Sequence, residues 1–513
     1  MARPNFFPLV LLPSFHRPGQ HHSISIKHIQ PPNMSYRVRF AKIKQQGESS
    51  ASPTNPTIGQ RELGPRLPQH PETPPSRSYS KFGCKECKSR RVKCDETFPT
   101  CLRCRRRGTL CLAAARPTQW LAEMPSIMLK SVQEPWPGAV NPNKRLLHNW
   151  LNNTSRMMAL SPTNNPLSLP LVRHLLSTPS LVHAVQCLSA GEEGFFEPPT
   201  LRAYFRERGL AIQALRHELE DSTSIKPSSV LTVFLLGISA SWTKDKPDDY
   251  GKEHLSAARI LLNRMLAEDR HRDDLLVQYI IGWYLYWDMT CAFIAEPDDT
   301  SCSYATEMPA SMRSMLSSFH PMIGFSAKLF YLLGNLGRYC RRVMETGRRD
   351  ILLEVKFEEQ LFAWNPEHED HALVDMSYAY RHHGLIMLYQ VCGRPPRQGS
   401  TQQIMNAAQD SVCLRRHLAL DSLKKLLSIP INAPSINFQS MPLLTAASEL
   451  WQGDTKIRLE VVERFKAIYS TNRVIINLWA INLLEELWEC CDSGNMVLCL
   501  ELLLSKNWFL NFA

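Results

Sequence analysis

Six cysteines fall within 28 residues: Cys84, Cys87, Cys94, Cys101, Cys104 and Cys111. The gaps between them are two, six, six, two and six residues, so the unit Cys-x2-Cys-x6-Cys is written twice in GCKECKSRRVKCDETFPTCLRCRRRGTLC. Two thiolates two residues apart can converge on one ion, and the repeated pair is a metal-ligand pattern. Structural zinc takes four ligands in a tetrahedron. Six thiolates therefore serve one ion with two left over, or two ions if two sulfurs are shared. The duplication favours sharing, because each half then supplies equivalent ligands. A segment this short cannot bury enough apolar surface to fold alone. Metal must supply its folding energy.

Charge is spread unevenly around this segment. The 513 residues carry 59 Lys and Arg against 48 Asp and Glu, a formal +11. Residues 81–116 hold eleven basic residues against three acidic, and residues 1–80 hold ten against three, so residues 117–513 sum to −4. A basic front on a mildly acidic body points to a polyanion as partner of the front. Six thiolates and two zinc ions would carry about −2 together, which leaves positive charge to attract phosphate. The basic residues follow the second cysteine, in Lys88-Ser89-Arg90-Arg91-Val92-Lys93, and recur as Arg103, Arg105 and Arg106.

The segment 81–112 resembles the fungal binuclear zinc cluster, the two-zinc, six-cysteine DNA-binding domain of a class of transcription factors. The likeness rests on all six cysteine spacings, the basic run, Pro99 in the mid-loop and Gly108 before the last cysteine. The resemblance implies two zinc ions per chain, with Cys84 and Cys101 as the shared ligands. It implies that the third and fourth residues after the second cysteine, Arg90 and Arg91, approach base edges in the major groove of double-stranded DNA. CGG-like triplets are the expected target, since the arginine fork meets guanine O6 and N7 together. Lysine is more usual than arginine at the second of these positions. Lys88, Lys93, Arg103, Arg105 and Arg106 are expected on phosphates. The basic stretch is expected to form a short helix held by the metal, with Pro99 shaping the loop and Gly108 the turn before Cys111. The competing reading of the run is a nuclear import signal, which can overlap with DNA binding.

Nine further cysteines, Cys187, Cys291, Cys302, Cys340, Cys392, Cys413, Cys490, Cys491 and Cys499, are odd in number and irregular in spacing. That pattern fits reduced thiols better than a disulfide framework. The longest apolar runs, 230–238 and 279–287, are too short to span a bilayer. The N-terminal FFPLVLLPSF carries two prolines and no evident small-residue cleavage site, so it does not read as a secretion signal. Translation from Met34 would remove it.

Four segments are expected: a disordered basic stretch at 1–80, the cluster domain at 81–113, a proline-rich linker at 114–142 and a helical domain at 143–513. Residues 1–80 are rich in Pro, Ser, Gln and Thr with no apolar period. Pro117, Pro125, Pro135, Pro137 and Pro142 exclude a coiled coil after the cluster. From about Asn143 the apolar spacing turns helical. Leu147, Trp150, Leu151 and Thr154 share a face. Thr178-Pro179 opens a helix carrying Leu181, Val182, Val185 and Leu188. Thr200 opens another, with Ala211, Ile212, Leu215 and Leu219. Further helices are expected around 228–242, 251–267, 273–290, 321–344, 350–363, 372–391, 404–427 and 458–490. Strand alternation is absent. The fold class is therefore mostly α, a small cluster domain before a large all-α domain. Stretches such as KRLLHNWLNNTSRMMAL and HPMIGFSAKLFYLLGNLGRYC also resemble the fungal transcription factor regulatory domain, in pattern and order, over about 150–340.

His368 and His371, three apart, have no local third ligand and read as a solvated loop. The run Trp283-Tyr284-Leu285-Tyr286-Trp287 reads as core packing before a ligand pocket. No phosphate-cradling glycine loop, GxSxG or HExxH occurs, so no enzyme is expected. The chain reads as a zinc-dependent, sequence-specific regulator of RNA polymerase II transcription in the nucleus. Its expected partners are DNA, co-regulators and a second copy through the helical domain, with no membrane. The alternative is a helical ligand-sensing or scaffold protein with weak or no specific DNA binding.

Overall fold

The structure is a computed structural model. It describes residues 83–97, 100–111, 136–161, 164–194, 198–221, 224–243, 246–267, 274–296, 308–309, 312–313, 318–366, 368–393 and 402–513. The stretch expected to be disordered, Pro99, Cys302 and most of the proline-rich linker lie outside the described residues. No β-strand is present among the described residues, of which 71% are helical. The mostly α reading holds.

Two five-residue helices belong to the cysteine cluster: α1, Lys85–Ser89, and α2, Leu102–Arg106. The body begins with α3, Lys144–Asn152, and the short α4, Val172–Leu175. Then follow α5, Pro179–Gly194, α6, Pro198–Asp221, α7, Pro227–Thr243, α8, Lys252–Leu266, and α9, Leu275–Cys291. The second half holds α10, Ala327–Thr346, α11, Ile351–Ala363, α12, His371–Cys392, and α13, Gln402–Ser428. It closes with α14, Ser440–Ala447, α15, Thr455–Asn472, α16, Ile476–Asp492, and α17, Cys499–Ser505.

Local chemistry sets many of these ends. Asn143 accepts from the Arg145 and Leu146 amides and caps α3. Asp274, Asp350 and Asp370 cap α9, α11 and α12 in the same way. Such a carboxylate or amide oxygen satisfies donors that the helix itself leaves open, and is worth about 1 kcal/mol. The second helix of the α5–α6 pair starts at Pro198, two residues before Thr200, because a proline in the first turn forfeits no helical hydrogen bond.

Helices pack largely against their sequence neighbours. The α5–α6 pair joins α3 and α7, while α10, α12, α13 and α14 form a second layered group. Helix α9 connects the halves through α7, α8 and α10. Its aromatic run is buried throughout, with Trp283 and Trp287 fully enclosed. Phe234 of α7 meets both indoles at ring distances of 5.3 and 5.4 Å. Gly237 leaves room for Trp287: a Cβ there would stand 2.2 Å from the indole edge. The run is core.

Two expected helices differ. That at 321–344 starts at Ala327, because His320 and Gly324 close a tight turn with two 2.9 Å backbone bonds. That at 458–490 is two helices, broken where Arg473 takes φ 62°. Residues 509–513 reach back across the body. The Phe509 amide donates to the Pro247 carbonyl at 2.7 Å, and the Trp242 indole to the Ala513 carbonyl at 3.2 Å. No helix among the described residues is long and apolar enough to cross a membrane.

Candidate metal centre and nucleic-acid interface

The two halves of the cysteine segment fold alike. In each, the first cysteine caps a five-residue helix: Cys84 Sγ accepts from the Cys87 amide and Cys101 Sγ from the Cys104 amide, both at 3.4 Å. The third cysteine of each half accepts from the amide of the first, Cys94 from Cys84 at 3.4 Å and Cys111 from Cys101 at 3.3 Å. After each helix the chain turns through a left-handed residue, Arg91 at φ 55° and Gly108 at φ 61°. The amides that follow, Val92 and Thr109, return to the Cys87 and Cys104 carbonyls. The sequence repeat is thus a structural pseudo-repeat.

The six sulfurs are buried and fall into two overlapping sets of four. One holds Cys84, Cys87, Cys94 and Cys101, the other Cys84, Cys101, Cys104 and Cys111, with the atoms of each set within 4.8 Å of one another. Cys84 and Cys101 belong to both. Cys84 lies 3.8 Å from Cys101 and 3.7 Å from Cys104, and Cys87 lies 3.7 Å from Cys101. With zinc–sulfur bonds of about 2.3 Å, a tetrahedron has edges of about 3.8 Å. The spacing fits zinc in each set. No disulfide links them.

Electrostatics give the same answer. Burial pushes the Cys84 thiol up to about 12 and the Cys87 and Cys111 thiols higher still. Burial acts on Cys101 too, but hydrogen bonds from the Cys104 amide and from the Cys104, Cys87 and Cys84 thiols outweigh it and lower its pKa. Several thiolates in so small a volume require a dication to offset their charge and desolvation.

Lys88, Arg90, Arg91, Lys93, Arg103, Arg105 and Arg106 are all exposed. The short helix expected over the basic run is displaced: α1 ends at Ser89, Arg90 is its C-cap and Arg91 lies in the left-handed turn. The chain must reverse there to bring Cys94 back to the cluster. Two contributors were not foreseen. Arg107, also exposed, is the second-half counterpart of Arg90. Asp95 ties the halves together, accepting from the Leu102 amide at 2.8 Å and the Arg103 amide at 3.4 Å, and from Thr97 Oγ1. Burial raises the Asp95 pKa, but these bonds prevail and hold it at about 2. An aspartate seven residues before a helix start is the only sequence signal it gave.

Elsewhere, His368 is exposed, accepts from the Asp370 amide and packs on Phe319 and Phe325, while His371 opens α12. Among the described residues they complete no metal set. A pocket beside them, between Leu160, Phe325, Trp364 and Met376, holds about 20 Å³, room for about one water. Of the eight described cysteines outside the cluster, five are buried and Cys413 is exposed.

Comparison with known proteins agrees with this arrangement. Residues 145–513 match the fungal specific transcription factor domain, and residues 82–121 match the fungal Zn(2)-Cys(6) binuclear cluster domain. The regulatory likeness thus runs well past residue 340. A Zn(2)-C6 fungal-type transcription factor of Aspergillus fumigatus is 32% identical over 169 residues, covering 30% of this chain and 43% of that protein. A lysine biosynthesis regulatory protein of Saccharomyces cerevisiae is 54% identical over 41 residues, 8% of this chain and 5% of that protein. The chain spans less than half the length of either relative. No solved structure matches it.

Proposed function

The chain belongs to the fungal transcription factors that pair a zinc-binding Zn(2)-Cys(6) cluster with a fungal specific transcription factor domain, and from that premise we propose that it is a nuclear regulator of RNA polymerase II genes reading CGG-like triplets in the major groove. Residues 81–113 are the DNA-binding domain, 114–142 the linker and 143–513 the regulatory domain. The two sulfur sets would each hold one zinc ion, with Cys84 and Cys101 belonging to both sets. Bound metal would supply the folding energy of the segment and so hold in place the turn that carries Arg90 and Arg91. Those two side chains meet guanine, and Lys88, Lys93, Arg103, Arg105 and Arg106 meet phosphates.

The observation that carries this reading is the pair of overlapping sulfur sets with an exposed basic turn fixed directly to one of them. Base readout needs side chains held in place before binding, and a metal-locked turn provides that. Four thiolates around each ion would leave no position for a reactive water, which supports a structural role for the metal. The acidic body is unsuited to DNA. It supplies the surface for a second copy and for co-regulators.

Selection of preferred duplexes by the full-length, zinc-loaded protein tests the proposal. Enrichment of GC-rich triplets, at one spacing if the protein is dimeric, is expected. Enrichment of no sequence over random DNA at physiological salt would refute it and favour the scaffold reading.

A further inference from the structure

The C-terminal half of α15 is buried on too many sides for one packed face. Ala467, Ile468, Tyr469, Ser470, Thr471 and Asn472 are all buried. Six consecutive residues sweep more than a full helical turn. Ile468 faces the main core. The cysteine cluster meets this helix from another side: Lys466 Nζ donates to the Gly108 carbonyl at 3.3 Å while pairing with Glu463 at 3.2 Å. Tyr469 lies within electrostatic reach of Glu86 on α1. The Lys466 bond joins parts of the chain 358 residues apart.

We infer that the helical body holds the cysteine cluster by its second turn, Lys466 of α15 clasping the Gly108 carbonyl, so that the Arg90–Arg91 turn of the first half faces outward in a fixed orientation. The pseudo-repeat makes this a choice between two similar turns. Gly108 is the counterpart of Arg91, and its carbonyl is the one that the lysine reaches. Both turns are exposed, and the contact that Lys466 makes is to the glycine turn. The clasp stands without the DNA-binding reading. Its consequence, an oriented reading head instead of one swinging on a linker, rests on that reading.

Hydrogen exchange on the full-length protein tests the clasp. Removing zinc with a chelator unfolds the cluster, and exchange in residues 466–473 should then rise about fivefold or more, while residues 455–462 stay unchanged. Lys466→Ala should produce the same acceleration with zinc bound, and Lys466→Gln, which can still donate to a carbonyl, a smaller one. Far-UV circular dichroism checks that the body remains folded. Unchanged exchange under both perturbations would overturn the clasp. Affinity of Lys466→Ala for a single-triplet duplex should stay within about twofold of the parent. A tenfold gain would instead mean that the contact covers the reading face. Faster exchange with no triplet preference in any variant would uphold the clasp and sink its consequence for DNA.

Discussion

Arg91 combines a backbone effect and a side-chain effect that two substitutions can separate. Its φ of 55° is left-handed, where a Cβ costs about 1 kcal/mol or slightly more relative to glycine. Gly108 occupies the equivalent turn at φ 61° with nothing within 4 Å of where a Cβ would stand. The strain at Arg91 is thus conformational and not a collision. Arg91→Ala removes the guanidinium and keeps the strain, whereas Arg91→Gly removes both. Loss of a bidentate guanine contact should cost about 1–3 kcal/mol, roughly fivefold to 150-fold in affinity for triplet DNA, in either variant. Only the glycine variant should gain stability, by about 1 kcal/mol, read as greater resistance of the cluster to a zinc chelator. Fluorescence anisotropy with triplet and scrambled duplexes at one salt concentration measures the first effect. Equal losses on both duplexes would refute base readout. An alanine variant as chelator-resistant as the glycine variant would refute the backbone argument.

Three other outcomes are expected. Cys101 belongs to both sulfur sets and Cys111 to one, so Cys101→Ser should bind about no zinc and Cys111→Ser about one ion per chain; two ions retained in Cys101→Ser, by metal analysis, would exclude sharing. His320, His382 and His383 are each pushed down to about 4 chiefly by burial. The unfolded chain therefore takes up their protons first. Their contribution is whole above about pH 6.5 and drains as pH falls towards 4, by up to about 1.4 kcal/mol per pH unit per histidine; a urea midpoint, followed by tryptophan fluorescence, that stayed flat from pH 7 to 5 would contradict this. Gly237→Ala would set a Cβ 2.2 Å from the Trp287 ring and should destabilise by about 1–3 kcal/mol. Gly209→Ala, in open space on α6, should stabilise by about 0.5–1 kcal/mol; thermal melts that reversed this order would refute the packing assigned to Trp287.

The metal pattern was legible in the sequence because its ligands are local. Six sulfurs within 28 residues have few ways to meet, and the duplicated spacing favoured the two overlapping sulfur sets that the structure holds. The helices were legible for the same reason. Apolar spacing and the Thr178-Pro179 start act within one turn, so α5, α9 and α12 lie where pattern placed them. The displaced basic helix was not legible, since α1 ends where the chain must return Cys94 to the cluster. Nor was the break at Arg473, because a long amphipathic stretch does not announce a non-glycine residue in the left-handed region. Periodicity is silent on partners. Only the tertiary structure decides that His382 meets Ser422 and His383 meets Thr445, or that residues 509–513 bond across to Trp242 and Pro247. The contact of Lys466 with Gly108 is of this kind. A lysine in a helix and a glycine in a turn have many possible neighbours in sequence space, and packing of the whole chain selects one.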